Sequence, residues 1–113
     1  MGGTGSTLSS IERQLVDLQQ AATLQLDNAY GNASIDTEPR RLLLRLAREI
    51  WEDILSNGVN SDESYQYRAI LGKSKILSCS QLEFTIVIEE FIIFVRDLRE
   101  RRRTGVGHTI KIF

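Results

Sequence analysis

The apolar residues of the first third of the chain recur at Leu8, Ile11, Leu15, Leu18, Ala22, Leu26 and Ala29, steps of three and four that line one side of an α-helix and no side of a strand. That spacing predicts a helix from Leu8 onward. Ser9 and Glu12 have the S-x-x-E spacing of a capping box for its start, and Gly31 can stop it. An isolated helix gains little from such a stripe, so the pattern also calls for partner helices.

The rest of the chain supplies them. "NASIDTEPRR" predicts a second helix, capped by Asp36 or Thr37, with Pro39 in a first turn where its missing N–H costs nothing. Its stripe is Leu43, Leu46, Ala47, Ile50, Trp51 and Ile54, widened by Leu44 and Leu55, and Asn57 and Gly58 offer a left-handed end. Asn60 or Ser61 can cap a third helix with the stripe Tyr65, Ala69, Gly72, Ile76 and Cys79, whose small members would let a neighbour come close. Ser80 and Glu83 repeat the capping box and open a fourth helix to about Arg103, facing inward with Phe84, Val87, Ile88, Phe91, Phe94, Val95 and Leu98. The third and fourth helices could also form one bent rod. The β-branched runs "FTIVI" and "FIIFV" would suit strands as well, but Glu89 and Glu90 side by side between them fit a helix better.

Short connections between amphipathic helices give an all-α fold, a small antiparallel bundle of about four helices over residues 8–103. A mobile Gly-rich arm (1–7) precedes it, and an extended tail (104–113) follows, in which His108, Ile110 and Ile112 alternate with polar residues as in a short strand. At 113 residues the chain has room for one domain, burying roughly two thirds of its unfolded surface. The most apolar stretch, "FTIVIEEFIIFV", is too short and too charged to span a bilayer. Cys79 is the only cysteine, which excludes an intrachain disulfide and fits a reducing compartment, so a cytoplasmic or nuclear setting is expected. Fourteen basic against fifteen acidic residues leave a net charge of −1, so any electrostatic partner must be chosen locally.

Sites for chemistry are few. Gly72-Lys73-Ser74 lacks the glycine a P-loop needs five residues earlier, where Tyr67 stands. His108 is the only histidine, so no histidine-based metal set is available, and neither a cofactor, a metal nor a catalytic residue is expected. Arg103 and His108 make an R-x4-H spacing that resembles the R-x4-6-H pattern of HEPN-type ribonucleases, in which arginine and histidine act on RNA phosphate across a dimer. The resemblance covers six residues, and Gly105 and Gly107 take His108 off the helix on which that pattern sits. The amino terminus matches M-G-x-x-x-[ST], which places Gly2 in position for myristoylation; a membrane is an expected partner only if Gly2 is acylated.

Charge and surface pattern carry the functional expectation. Arg96, Arg99, Arg101, Arg102 and Arg103 fall in the last turns of the fourth helix, where cations offset the exposed carbonyls, and the run reads first as a solvated helix end. The second helix is polarised the wrong way for its dipole, with Arg40, Arg41, Arg45 and Arg48 before Glu49, Glu52 and Asp53, so an outside partner for its basic end is implied. Leu82, Ile86 and Ile93 form a second apolar stripe opposite the core face of the fourth helix. The expectation is a non-enzymatic protein-protein interaction module, an adaptor or regulatory subunit, that joins a protein partner or a second copy as a homo-oligomer, most simply a dimer, through Leu82, Ile86 and Ile93. The alternative is a small nucleic-acid-binding protein contacting phosphates through Arg41, Arg45, Arg99, Arg101, Arg102 and Arg103, with the HEPN-like ribonuclease as the enzymatic reading.

Overall fold

A computed structural model describes residues 4–28 and 37–105 as four α-helices, with no strand among the described residues. They are α1 (Thr4–Asn28), α2 (Thr37–Ser56), α3 (Ser61–Gly72) and α4 (Gln81–Thr104). The fold is a small all-α bundle, and "FTIVIEEFIIFV" lies wholly within α4. Every residue expected on the inner face of α4 is buried, together with Thr85 and Ile92. On α1, Leu8, Ile11, Leu15, Leu18 and Ala22 are buried, and α1 and α4 form the most extensive helix pair of the bundle.

Long-range side-chain contacts fix the directions. Glu12 meets Arg96 and Arg99, Gln19 meets Glu89, and Gln81 reaches the Ala22 carbonyl, so α1 and α4 run in opposite directions along their contact. Lys73 with Glu90 and Asp62 with Arg101 show the same for α3 and α4. Arg40 beside Gln81 and Asp53 beside Arg102 place α2 alongside α4 in the same direction.

The helix ends follow local chemistry. The Asn60 side chain accepts the amides of Asp62 and Glu63 at the start of α3. Ser80 and Glu83 close the reciprocal capping box at the start of α4, and Gly105, at φ 77°, ends it in the left-handed conformation that a side chain would resist. Gly58, at φ 81°, turns the chain after α2.

Several sequence expectations are corrected. Helix α1 begins at Thr4, so residues 4–7 join the helix; Leu8 is fully buried, and Glu12 is drawn to two arginines of α4 instead of back to Ser9. The α3 stripe is not Tyr65, Ala69 and Gly72, which are exposed, but Glu63, Tyr67 and Ile70. The expected spacing ran through a break: α3 stops at Gly72 and residues 73–80 form a separate turn that buries Ile76 and Cys79, so α3 and α4 are the two helices expected and not one bent rod. Among the described residues no neighbour lies within 4 Å of the place a Cβ would take at Gly72. Leu44 and Leu55 lie outside the α2 core and face solvent.

Candidate interaction surface

The arginines of α4 are already engaged. Arg102 lies along the core line Phe91, Val95, Leu98, and its guanidinium bonds Asp53 Oδ2 at 2.9 and 3.2 Å and the Glu63 carboxylate at 3.1 and 3.3 Å. The three side chains are 7%, 2% and 3% exposed, so this is a buried ionic junction joining α2, α3 and α4, not a solvated helix end. Burial alone would pull the Arg102 pKa down, but the hydrogen bonds with Glu63 and Asp53 outweigh it and hold the value above the arginine norm. Arg101 reaches Asp62 at 2.8 Å and Asp97 at 2.9 Å, with Glu63 at 3.5 Å, and the Asp62 hydrogen bond raises its pKa. Arg96 and Arg99 clasp Glu12, and Arg103 pairs with Glu100 at 2.5 Å within its own helix. The Arg96 hydrogen bond, opposed by burial and reinforced by Arg99, keeps the Glu12 carboxyl below its usual pKa.

Arg40 is likewise internal, at 1% exposure. Its Nη1 donates to the carbonyls of Cys79 at 2.6 Å and Ile76 at 3.0 Å, its Nη2 approaches Gln81 Oε1 at 3.4 Å, and its guanidinium lies 4.9 Å from the centre of the Phe84 ring. It bonds the turn between α3 and α4 to the start of α2 through backbone carbonyls and a π-face, and no carboxylate among the described residues pairs with it.

Two helix faces combine exposed apolar residues with charge. On α2, Arg41, Arg45 and Arg48 are exposed and hold no ion pair among the described residues; the Arg45–Glu49 and Arg48–Glu52 pairs that the spacing allows are not made. Arg68 of α3 extends the positive charge, lying 5.8 Å above the Trp51 ring, which in turn packs on Tyr67. Leu44 and Leu55 are exposed on the same face of α2.

On α4, Leu82, Ile86 and Ile93 are 54%, 47% and 57% exposed, while the opposite side of the helix forms the core. Acidic residues border the stripe: Glu89 takes a hydrogen bond from the neutral Gln19, Glu90 is held by Lys73 at 2.7 Å, and Asp97 by Arg101. Beside Ile93 an open groove of about 470 Å³ runs between α3 and α4, floored by Ala69, Ile70 and Phe94.

Among the sequence-derived site residues, then, Leu82, Ile86 and Ile93 share one exposed face, Arg41 and Arg45 share another, and Arg99, Arg101, Arg102 and Arg103 are spent on carboxylates. Gly2 and His108 lie outside the described residues. Among the described residues no three His, Cys, Asp or Glu side chains converge as metal ligands would, and no helix is long and apolar enough to cross a membrane. Sequence reading missed the Asp53–Glu63–Arg102 junction and Arg40, yet both carried a signal: Arg102 continues the α4 core line by four residues from Leu98, and Arg40 extends the α2 line by three from Leu43. Compared with known proteins, the chain matches no family model, no curated protein and no solved structure.

Proposed function

We propose that this protein is a non-enzymatic helical interaction module that works by presenting the outer face of α4. One observation carries the reading: a helix fully buried along one side keeps Leu82, Ile86 and Ile93 about half exposed along the other. Water gains nothing from such a ladder, whereas a partner covering it removes apolar surface worth about 25 cal/mol per Å². The helix beneath is fixed at both ends by its capping box and Gly105 and tied to α1 and α3 by ion pairs, so the face is presented on a rigid support. Replacing Ile86 and Ile93 with Glu should abolish self-association or partner capture while leaving circular dichroism and thermal midpoint close to the parent. Loss of the fold in that variant would make the stripe part of the core and end the proposal.

A second reading, binding of a polyanion, is favoured by the unpaired Arg41, Arg45 and Arg48 with Arg68 nearby. This reading puts the contact on α2 and not on α4, because detaching Arg101 or Arg102 would strand carboxylates. Four phosphate contacts correspond to a log-log salt slope of roughly −3.6 on duplex DNA. Replacing Arg41 and Arg45 with Gln should flatten the slope by about two units. Absence of binding at low salt excludes this reading.

A further inference from the structure

We infer that the partner of the α4 face is the α2 face of a second copy of this chain, an inference that rests on the reading of Leu82, Ile86 and Ile93 as a contact surface. The two faces match in spacing and polarity, and each carries one charge that complements the other. Leu44 and Leu55 on α2 are eleven residues apart, as are Leu82 and Ile93 on α4, and each pair therefore spans about 16 Å along its helix. When the α2 of one copy runs antiparallel to the α4 of the next with Leu44 opposite Ile93, Leu55 falls opposite Leu82 and Trp51 opposite Ile86. The same register sets Arg48 against Glu89; among the described residues Arg48 holds no ion pair and Glu89 has only the neutral Gln19 as a hydrogen-bond partner. Arg41 falls directly opposite Arg96, one position from Asp97, which Arg101 already holds at 2.9 Å. The nearest like charge, Arg96, is already held by Glu12 at 2.7 Å.

Pairing α4 with α4 is less well matched, because it brings Glu89 of both copies into one interface that holds no unpaired cation of α4 itself. In the α2–α4 pairing the apolar residues of the two faces meet and Arg48 meets Glu89, while the one like-charge pair, Arg41 with Arg96, involves an arginine already neutralised by Glu12.

The contact is heterologous. Both helices turn their buried sides toward the shared core, so the two exposed faces point away from each other, and each copy can take one neighbour on α2 and another on α4. Assembly therefore proceeds past the dimer into chains or a closed ring. One helix-on-helix contact is small beside the roughly 1,200 Å² of a stable complex, so association is weak and concentration-dependent.

The test is sedimentation velocity of the full chain from about 10 μM to 1 mM at low salt, with face-specific variants. The parent should form species larger than a dimer. Arg48→Glu/Leu55→Asp, which loses the α2 face, and Ile86→Glu/Ile93→Glu, which loses the α4 face, should each stay helical and associate at least tenfold more weakly. Mixed in equal amounts they should form a 1:1 complex that grows no further, because one variant keeps α4 and the other keeps α2. In a gentler arm, Arg48→Glu and Glu89→Arg should each weaken association alone and restore it together, since both mixed pairings are again opposite in sign. If Arg48→Glu/Leu55→Asp associates as well as the parent while Ile86→Glu/Ile93→Glu does not, α4 pairs with itself; the inference falls and the interaction surface stands. A parent that is monomeric throughout overturns the inference, and if it also binds single-stranded RNA through Arg48, the α2 face belongs to nucleic acid. Unfolding of Ile86→Glu/Ile93→Glu, by contrast, removes the underlying reading.

Discussion

Replacing Arg102 with Ala tests how the C-terminal arginines are used. The substitution removes four hydrogen bonds and leaves the Asp53 and Glu63 side chains, 2% and 3% exposed, as two buried carboxylates without their cation. Removing one partner of a buried ionic group costs about 3–5 kcal/mol, because the charge left behind keeps its desolvation penalty and loses its compensation. For a domain of this size 1 kcal/mol corresponds to about 4 °C, so the midpoint should fall by about 12–20 °C. Urea denaturation followed by circular dichroism measures the loss, with Arg103→Ala as the control: Arg103 pairs with Glu100 in solvent, and its removal should shift stability by less than about 0.5 kcal/mol. Replacing all three members of the junction with apolar residues of similar volume should recover most of the loss. Arg102→Ala and Arg103→Ala variants of equal stability would refute the reasoning and return the arginine run to the role of a solvated helix end.

Arg40→Ala should destabilise by about 2–4 kcal/mol, since it strands the Ile76 and Cys79 carbonyls and opens a void against Phe84; equilibrium unfolding measures it, and Arg40→Lys, with one donor group in place of a planar fork, should recover only part. Stability should fall at both ends of the pH range. The Glu12 carboxyl, held below its ordinary value, contributes fully above the ordinary carboxylate range and loses that contribution as pH drops through its lowered pKa, a loss that Glu12→Gln should remove. Tyr67, raised by burial against the opposing charge of Arg48, contributes below the ordinary tyrosine value of about 10 and loses it as pH rises through its higher folded pKa; its hydroxyl donates to the Ala47 carbonyl at 3.0 Å, so Tyr67→Phe should flatten the alkaline limb.

The parts of the fold set by local chemistry were legible in the sequence. The inner face of α4, and that of α1 from Leu8 to Ala22, followed from spacing alone, and the Asn60 cap, the Ser80–Glu83 box and the Gly58 turn followed from residues within a few positions of each other. What was misread depended on distant partners. Arg102 sits on the buried line of α4, but a charged residue there makes sense only with Asp53 and Glu63, 49 and 39 positions away. Asp53 lies on the same side of α2 as Leu46 and Ile50, and Glu63 one turn before the buried Tyr67, so each acid also stood on an inward face. Three charges on three buried lines were the available signal. The α3 stripe failed for a different reason: Ile76 and Cys79 are buried by a turn, and a helical period drawn through them put Tyr65 on the wrong side.

Folding also changes what the near-neutral composition implies about partners. The cations of α4 are consumed by carboxylates from all four helices, which leaves Arg41, Arg45 and Arg48 concentrated on α2 while Glu89, beside the apolar stripe of α4, is met only by the neutral Gln19 among the described residues. A chain with a net charge of −1 therefore presents two faces of opposite character. Salt separates the internal from the external use of charge. Raising ionic strength from about 0.1 M to 1 M shortens the screening length from about 10 Å to 3 Å, which weakens contacts made across solvent and leaves a buried pair largely untouched. The stability lost in Arg102→Ala should therefore be nearly the same at both salts, whereas association through Arg48 and Glu89 should weaken. If association persists unchanged at 1 M salt, apolar burial alone holds the copies together and the charge match between α2 and α4 has no part in choosing the partner.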